Sequence, residues 1–155
     1  MRHTRILPRL ALVICGAFTV AVCSDGPTEP EEHHDPHEVK IVQGGTTLAT
    51  YSVDNNSWDD HLDVEVGTLS GVTVDFLAED GDVIQDDEAY LDIVIDDVSI
   101  TSWEPSTPGG FTGAVNALQE GETAWTIRLM HGEVGSGHPD LVTTPIDVHV
   151  EEHQN

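Results

Sequence analysis

Apolar and polar residues alternate through much of the chain beyond residue 60, and this two-residue period predicts β-strands. Successive side chains of a strand point to opposite faces of its sheet, so each such strand has one buried and one wet face. The apolar positions fall into five sets: Val64 and Val66; Val72, Val74 and Phe76; Leu91, Ile93 and Ile95; Trp125, Ile127 and Leu129; Ile146, Val148 and Val150. No stretch shows a helical period, and we therefore expect an all-β domain.

Turn-forming residues separate these sets and limit the length of each strand. They occur at Asn55-Asn56, at Asp80-Gly81, at residues 105–110, at Glu120-Gly121 and at residues 135–139. About eight short strands at such spacings predict an antiparallel β-sandwich. The segment is long enough for one domain, which we place at residues 39–155.

Two segments are similar to strands of bacterial immunoglobulin-like surface domains. The first is GVTVDFLAEDG at residues 71–81, and the second is GETAWTIRL at residues 121–129. The resemblance implies an immunoglobulin-like sandwich. It implies no activity, because one fold carries many functions.

The first 22 residues have the composition of an export signal. Arg2, Arg5 and Arg9 precede an apolar run at residues 10–22, and the run ends at Cys23. This run is shorter than the roughly 20 apolar residues that a membrane-spanning helix needs. We therefore expect residues 1–22 to be a signal peptide and the protein to be exported.

The end of this signal resembles a bacterial lipoprotein signal, with Val20, Ala21 and Val22 directly before Cys23. The resemblance implies that Cys23 is acylated and becomes the mature N-terminus, and Ser24 then favours the outer membrane. Contact with a membrane would be through the lipid anchor only. The alternative is a plain secretory signal cut near Cys23, which places the protein in the periplasm or at the cell surface.

Residues 23–38 are expected to form an acidic tether that is rich in proline and histidine. They include no large apolar side chain and cannot bury a core. The two cysteines, Cys15 and Cys23, lie in or beside the signal, so the domain has no internal disulfide. The stability of the domain must therefore come from a hydrophobic core or from bound metal.

The chain beyond the signal is strongly acidic. All 29 acidic residues lie there, opposed only by Lys40 and Arg128. Such a surface repels nucleic acid and attracts cations, so we expect no nucleic-acid partner. Acidic clusters at residues 59–60, 79–82 and 86–88 make calcium a second candidate cation, although none has the spacing of an EF-hand loop. Adaptation to a salty environment would also explain the charge.

Histidine is the other unusual element, and all but the first of the nine histidines lie beyond the signal. Imidazole binds zinc and copper, and neighbouring carboxylates complete or orient such sites. The histidines fall into three groups: His33, His34 and His37 in the tether; His131 and His138, with Asp140, in a glycine-rich loop; and two strand faces, His61-Asp63-Glu65 and Asp147-His149-Glu151-His153. We expect the loop to be the ordered site, because strands hold both of its ends.

The sequence gives no catalytic constellation. Gly135-Ser136-Gly137 lacks the spacing of a nucleophile elbow. The loop from His131 to Asp140 is similar to the zinc loop of copper–zinc superoxide dismutases, but the chain lacks the His-x-His strand that this family places before the loop. We therefore expect no enzyme.

The expected function is metal binding. An exported protein of this kind would buffer zinc or copper at the cell envelope or deliver it to an envelope protein, whose identity the sequence does not give. The alternative is a structural or adhesive surface module with no specific metal function.

The lipid anchor is tested by Cys23→Ser. We expect this substitution to abolish fatty-acid labelling and to move the protein from the membrane fraction to the soluble fraction, because the acylated thiol is the anchor. Membrane partition that does not change in the variant would rule out acylation at Cys23.

Overall fold

The computed structural model describes residues 35–84 and 86–152. The predicted signal peptide, Cys23, most of the predicted tether, and His33, His34 and His153 lie outside the described residues. Within them the chain is all-β and contains no helix, which confirms the predicted fold class. None of these residues therefore forms a helix that could cross a membrane.

Eleven strands are present in the described part of the chain. They are β1 (Glu38–Gln43), β2 (Thr46–Ser52), β3 (Ser57–Trp58), β4 (Leu62–Glu65), β5 (Gly67–Leu77), β6 (Ala89–Ile95), β7 (Thr101–Pro105), β8 (Thr112–Ala117), β9 (Gly121–His131), β10 (His138–Val142) and β11 (Ile146–Glu151). The number exceeds the predicted eight or so. The five alternating sets of the sequence correspond to β4, β5, β6, β9 and β11, and the other six strands are not marked by such a set.

The strands form two sheets. The first has the order β3-β2-β1-β5-β8-β7, and the second contains β10, β9, β11 and β4, with β6 paired to β9. Every pairing is antiparallel except that of β11 with β4, which is parallel. β9 organises the second sheet, because its residues pair with β6, β10 and β11.

The inner faces of the two sheets share one hydrophobic core. Its largest fully buried side chains come from both sheets: Trp125, Tyr51, Phe76, Ile41, Leu62 and Ile127. The predicted apolar sets on β5, β9 and β11 are all buried, whereas Ile93 and Ile95 of β6 are only partly buried. Burial of these alternating faces is the main favourable term that holds the sheets together.

Val66 departs from the predicted pattern, because its side chain is 39% exposed. The strand β4 ends at Glu65, and β5 begins at Gly67 in the other sheet. The backbone therefore changes sheets at Val66, and Gly67 adopts a φ of 138° there, which a side chain would strain. The alternation continues in the sequence beyond the point where the strand stops.

The tether boundary can be followed only from Asp35 onward. The N–H of His37 donates to the carbonyl of Leu77 (2.7 Å), and the carbonyl of His37 accepts from the N–H of Val53 (3.0 Å). Pro36 is buried. The backbone is thus tied to β5 and to the end of β2 just before β1 begins.

One buried polar contact links a core tryptophan to a strand of the opposite sheet. The Trp125 Nε1–H donates to Thr101 Oγ1 over 2.8 Å, and Trp125 and Thr101 are 1% and 0% exposed. A buried indole N–H without an acceptor would incur the full cost of desolvation. The contact therefore fixes the ring orientation as well as satisfying the donor.

Thr101→Val should destabilise the domain by about 1–3 kcal/mol, because it removes the acceptor while keeping the shape. Thr112→Val on the exposed face of β8 is the matched control and should change stability little. Urea unfolding measures both free energies of unfolding. Equal effects of the two substitutions would contradict a role for the buried contact.

Asp75 carries a charge at a half-buried position of β5, opposite Lys40 of β1. Desolvation raises the pKa of Asp75, and the charge of Lys40 opposes that rise. The Nζ atom of Lys40 also lies 3.0 Å from the Glu38 carboxylate. A raised folded-state pKa means that ionisation of Asp75 costs stability, and that this cost disappears as the pH falls through the raised pKa.

Asp75→Asn should therefore raise the melting temperature relative to the parent protein more at neutral pH than at about pH 3, where the parent carboxyl is also neutral. Asp54→Asn in an exposed turn is the control. If Asp75→Asn instead loses more stability at neutral pH than at acidic pH, the attraction between Asp75 and Lys40 outweighs desolvation.

Candidate metal centres

The two histidine-bearing strand faces predicted from the sequence lie side by side. β4 and β11 are parallel neighbours in which His149 pairs with Asp63 and Glu151 pairs with Glu65. The alternate residues of both strands, such as Val64 and Val148, are buried. The remaining side chains must therefore point outward together, so that one ligand-rich face, which we call the β4/β11 face, replaces two separate stripes.

Three potential ligands converge on this face. One donor atom each from His61, Asp63 and His149 lie within 4.8 Å of one another. The Nε2 atom of His61 is 3.1 Å from Asp63 Oδ2, and the Nδ1 atom of His149 is 3.7 Å from Asp63 Oδ1. The two imidazole rings have centroids 4.6 Å apart. Among the described residues, no other group of histidine and carboxylate side chains is drawn together this tightly.

These spacings fit a transition-metal ion. Zinc binds nitrogen and oxygen ligands at about 2.0–2.1 Å, which places two ligands of a tetrahedral site about 3.4 Å apart. The observed separations of 3.1 and 3.7 Å lie on either side of this value. The side chains are between 39% and 65% exposed, so small rotations can complete the geometry.

Asp60 orients one of the histidines. Its Oδ1 atom lies 2.9 Å from His61 Nδ1 and also accepts the backbone N–H of His61 over 2.9 Å. A hydrogen bond at Nδ1 leaves Nε2 as the coordinating nitrogen, on the side of the ring that faces Asp63. Carboxylates that hold metal-binding histidines in this way raise the basicity of the ligand.

The predicted loop site has a different geometry. His131 ends β9 and His138 begins β10, and the two residues pair across the hairpin with ring centroids 5.6 Å apart. Asp140 lies between them, with Oδ2 at 3.8 Å from His131 Nδ1 and Oδ1 at 3.4 Å from His138 Nε2. The loop itself is anchored, because the Tyr90 hydroxyl accepts the N–H groups of residues 135 and 137.

Two further carboxylates join this cluster from the connection between β5 and β6. Asp86 Oδ2 is 3.5 Å from His131 Nδ1, and Glu88 Oε2 is 3.2 Å from His131 Nε2. The sequence marked both acids only as part of a candidate calcium cluster. Their approach to His131 follows from the pairing of Ala89 with His131, which no local pattern reveals.

Several of the acidic residues also act in their own turns. Asp80 Oδ1 accepts the N–H of Asp82, and Asp86 Oδ1 accepts the N–H of Glu88. Such short side-chain bonds stabilise turns, and that of Asp86 uses only its Oδ1 atom. His37 belongs to neither histidine cluster, and His33, His34 and His153 lie outside the described residues.

Comparison with known proteins adds no family assignment. No protein-family model matches the chain, and no curated protein matches it. The two clusters of histidine and carboxylate side chains are therefore the features of the chain that bear on its function.

Proposed function

We propose that this protein is a non-enzymatic, exported metal-binding protein that takes up zinc or copper on the β4/β11 face. The observation that carries the proposal is the convergence of His61, Asp63 and His149 within 4.8 Å on two neighbouring strands. Two imidazoles select a transition metal over calcium, which prefers oxygen ligands alone.

The number of donors suits exchange of the metal. Three protein ligands leave one position of a tetrahedral ion open to water or to a ligand from another molecule, whereas structural zinc sites are closed by four protein ligands. The donors are also exposed, so a partner can reach the ion. This supports buffering or delivery at the cell envelope, with an envelope protein as the recipient.

The charge around the face supports capture of cations. Glu65 and Glu151 continue the same outward rows, and Glu122 of β9 pairs with His149 from the other side. These carboxylates raise the local concentration of cations and the rate of their association. They supply no selectivity, which comes from the imidazoles.

The relationship to immunoglobulin-like domains belongs to the same proposal. Immunoglobulin domains pack a sheet of four antiparallel strands against a sheet of three. The proposal is supported by the order β1-β5-β8-β7 in one sheet and by the pairing of β9 with both β6 and β11 in the other. Acylation at Cys23 would then hold such a module at the envelope, with residues 23–38 as a spacer.

The experiment is a zinc and copper titration of the mature chain, carried out with His33→Ala, His34→Ala and His37→Ala throughout so that the tether histidines do not compete. Thermal unfolding should show stabilisation of about 2.7 kcal/mol when free metal is about 100 times the dissociation constant. The double substitution His61→Ala and His149→Ala should abolish the part of this effect that comes from the β4/β11 face.

A control that changes the charge but keeps the donors separates coordination from electrostatics. Asp147→Asn with Glu151→Gln lowers the negative charge of β11 but removes none of the three donors, so the affinity should fall much less. Asp60→Asn should weaken binding by about 10- to 100-fold through loss of ligand orientation. Metal-dependent stabilisation that is undiminished in the double histidine variant would show that the metal binds away from this face. A parent protein that metal does not stabilise would favour the alternative, a surface module with no specific metal function.

Acid should release the metal. Coordination requires a neutral imidazole, so protons compete with zinc as the pH falls through about 6.5, where imidazole side chains ordinarily titrate. Calorimetry between about pH 7.5 and 5.5 should record a steadily weaker affinity. Affinity that does not depend on pH in this range would point to carboxylate ligands alone.

A further inference from the structure

The cluster around His131 has a property that an ordinary buried histidine lacks. The residue is 8% exposed, yet carboxylate oxygens face both of its ring nitrogens. A neutral imidazole has one N–H donor and one nitrogen with a lone pair, and a lone pair facing a carboxylate is repulsive. The arrangement therefore favours a cation at this position.

The carboxylate oxygens lie at different distances from the two ring nitrogens of His131. On the Nε2 side, Glu88 lies at 3.2 Å, which is the length of a hydrogen bond. On the Nδ1 side, Asp86 and Asp140 lie at 3.5 and 3.8 Å, which is beyond a good hydrogen bond but close to the spacing of about 3.4 Å between ligands of one tetrahedral ion. Glu88 thus holds the Nε2 proton and leaves Nδ1 as the coordinating nitrogen.

His138 supplies a fourth donor. Its Nε2 atom is 3.4 Å from Asp140 Oδ1, and its side chain is 67% exposed, so it can turn toward an ion without disturbing the core. A cleft of about 350 Å³ opens beside these residues and is lined by Asp86, His138 and Asp140 together with apolar side chains such as Leu129. The cleft gives an ion a path to the cluster.

We propose that this cluster is a second, closed zinc site formed by His131 Nδ1, His138 Nε2, Asp86 and Asp140, with Glu88 orienting His131. Four protein ligands make it structural in type, in contrast to the open site on the β4/β11 face. The two sites share no residue, so either can fail without the other.

The ion would act as a clamp. Asp86 belongs to the connection between β5 and β6, which runs between the two sheets, whereas the other three ligands belong to the β9–β10 hairpin. Zinc at this position ties these segments together in a domain that has no disulfide to do so. The hairpin is built for close approach, because a side chain at Gly137 would collide with the carbonyl of His131.

The test uses the mature chain with the tether histidines and the His61 and His149 ligands removed (His33→Ala, His34→Ala, His37→Ala, His61→Ala and His149→Ala). Zinc should still raise its melting temperature and slow hydrogen exchange in residues 86–89 and 131–140. Cobalt in place of zinc should give the intense visible absorption of a tetrahedral ion. His131→Ala is avoided, because loss of a buried side chain could unfold the domain.

Asp86→Asn and His138→Ala should each weaken zinc binding by at least about 10-fold in this background, as loss of a ligand or its orientation does elsewhere. Asp87→Asn, at the exposed neighbouring acid, should leave it unchanged. The proposal is overturned if zinc does not stabilise the background protein, if Asp87→Asn weakens binding as much as Asp86→Asn, or if acid alone slows exchange in both segments while zinc does not.

Discussion

The parallel pairing of β11 with β4 is the constraint on which the proposed metal-binding face depends. It places Asp63 beside His149 and brings His61, directly before β4, to the same edge. The pairing is held from behind by burial of Leu62, Val64 and the apolar residues of β11. Asp63 and His149 are therefore positioned by the same alternation that builds the core, and His61 directly precedes β4.

Much of the fold follows from the sequence. Alternation predicts which residues of β5, β9 and β11 face the core, because a strand has only two faces. It does not say which strands are neighbours, and so the meeting of His61 with His149 could not be derived. Val66 shows a second limit: the alternating pattern extends past Glu65, and only Gly67 hints that the chain changes sheets there.

The cluster around His131 could likewise be predicted only in part, because alternation does not say which strands are neighbours. The proximity of His131, His138 and Asp140 could be expected from a short hairpin, since few residues separate them. The contribution of Asp86 and Glu88 could not, because it depends on the pairing of β6 with β9. Both clusters nevertheless repeat one chemical arrangement, in which a carboxylate of a neighbouring residue or loop holds one nitrogen of a histidine and leaves the other facing further carboxylates. In a chain with so few basic residues, cations from solution are the natural counter-charge.

His61, Asp63 and His149 are proposed to bind one transition-metal ion together. The most direct measurement is anomalous diffraction at the zinc absorption edge from crystals of the mature protein grown with zinc. We expect an anomalous peak at about 2.0–2.1 Å from a nitrogen of His61, a nitrogen of His149 and a carboxylate oxygen of Asp63, the bond lengths of zinc to such ligands. Zinc-containing crystals with no anomalous peak at the β4/β11 face would contradict it.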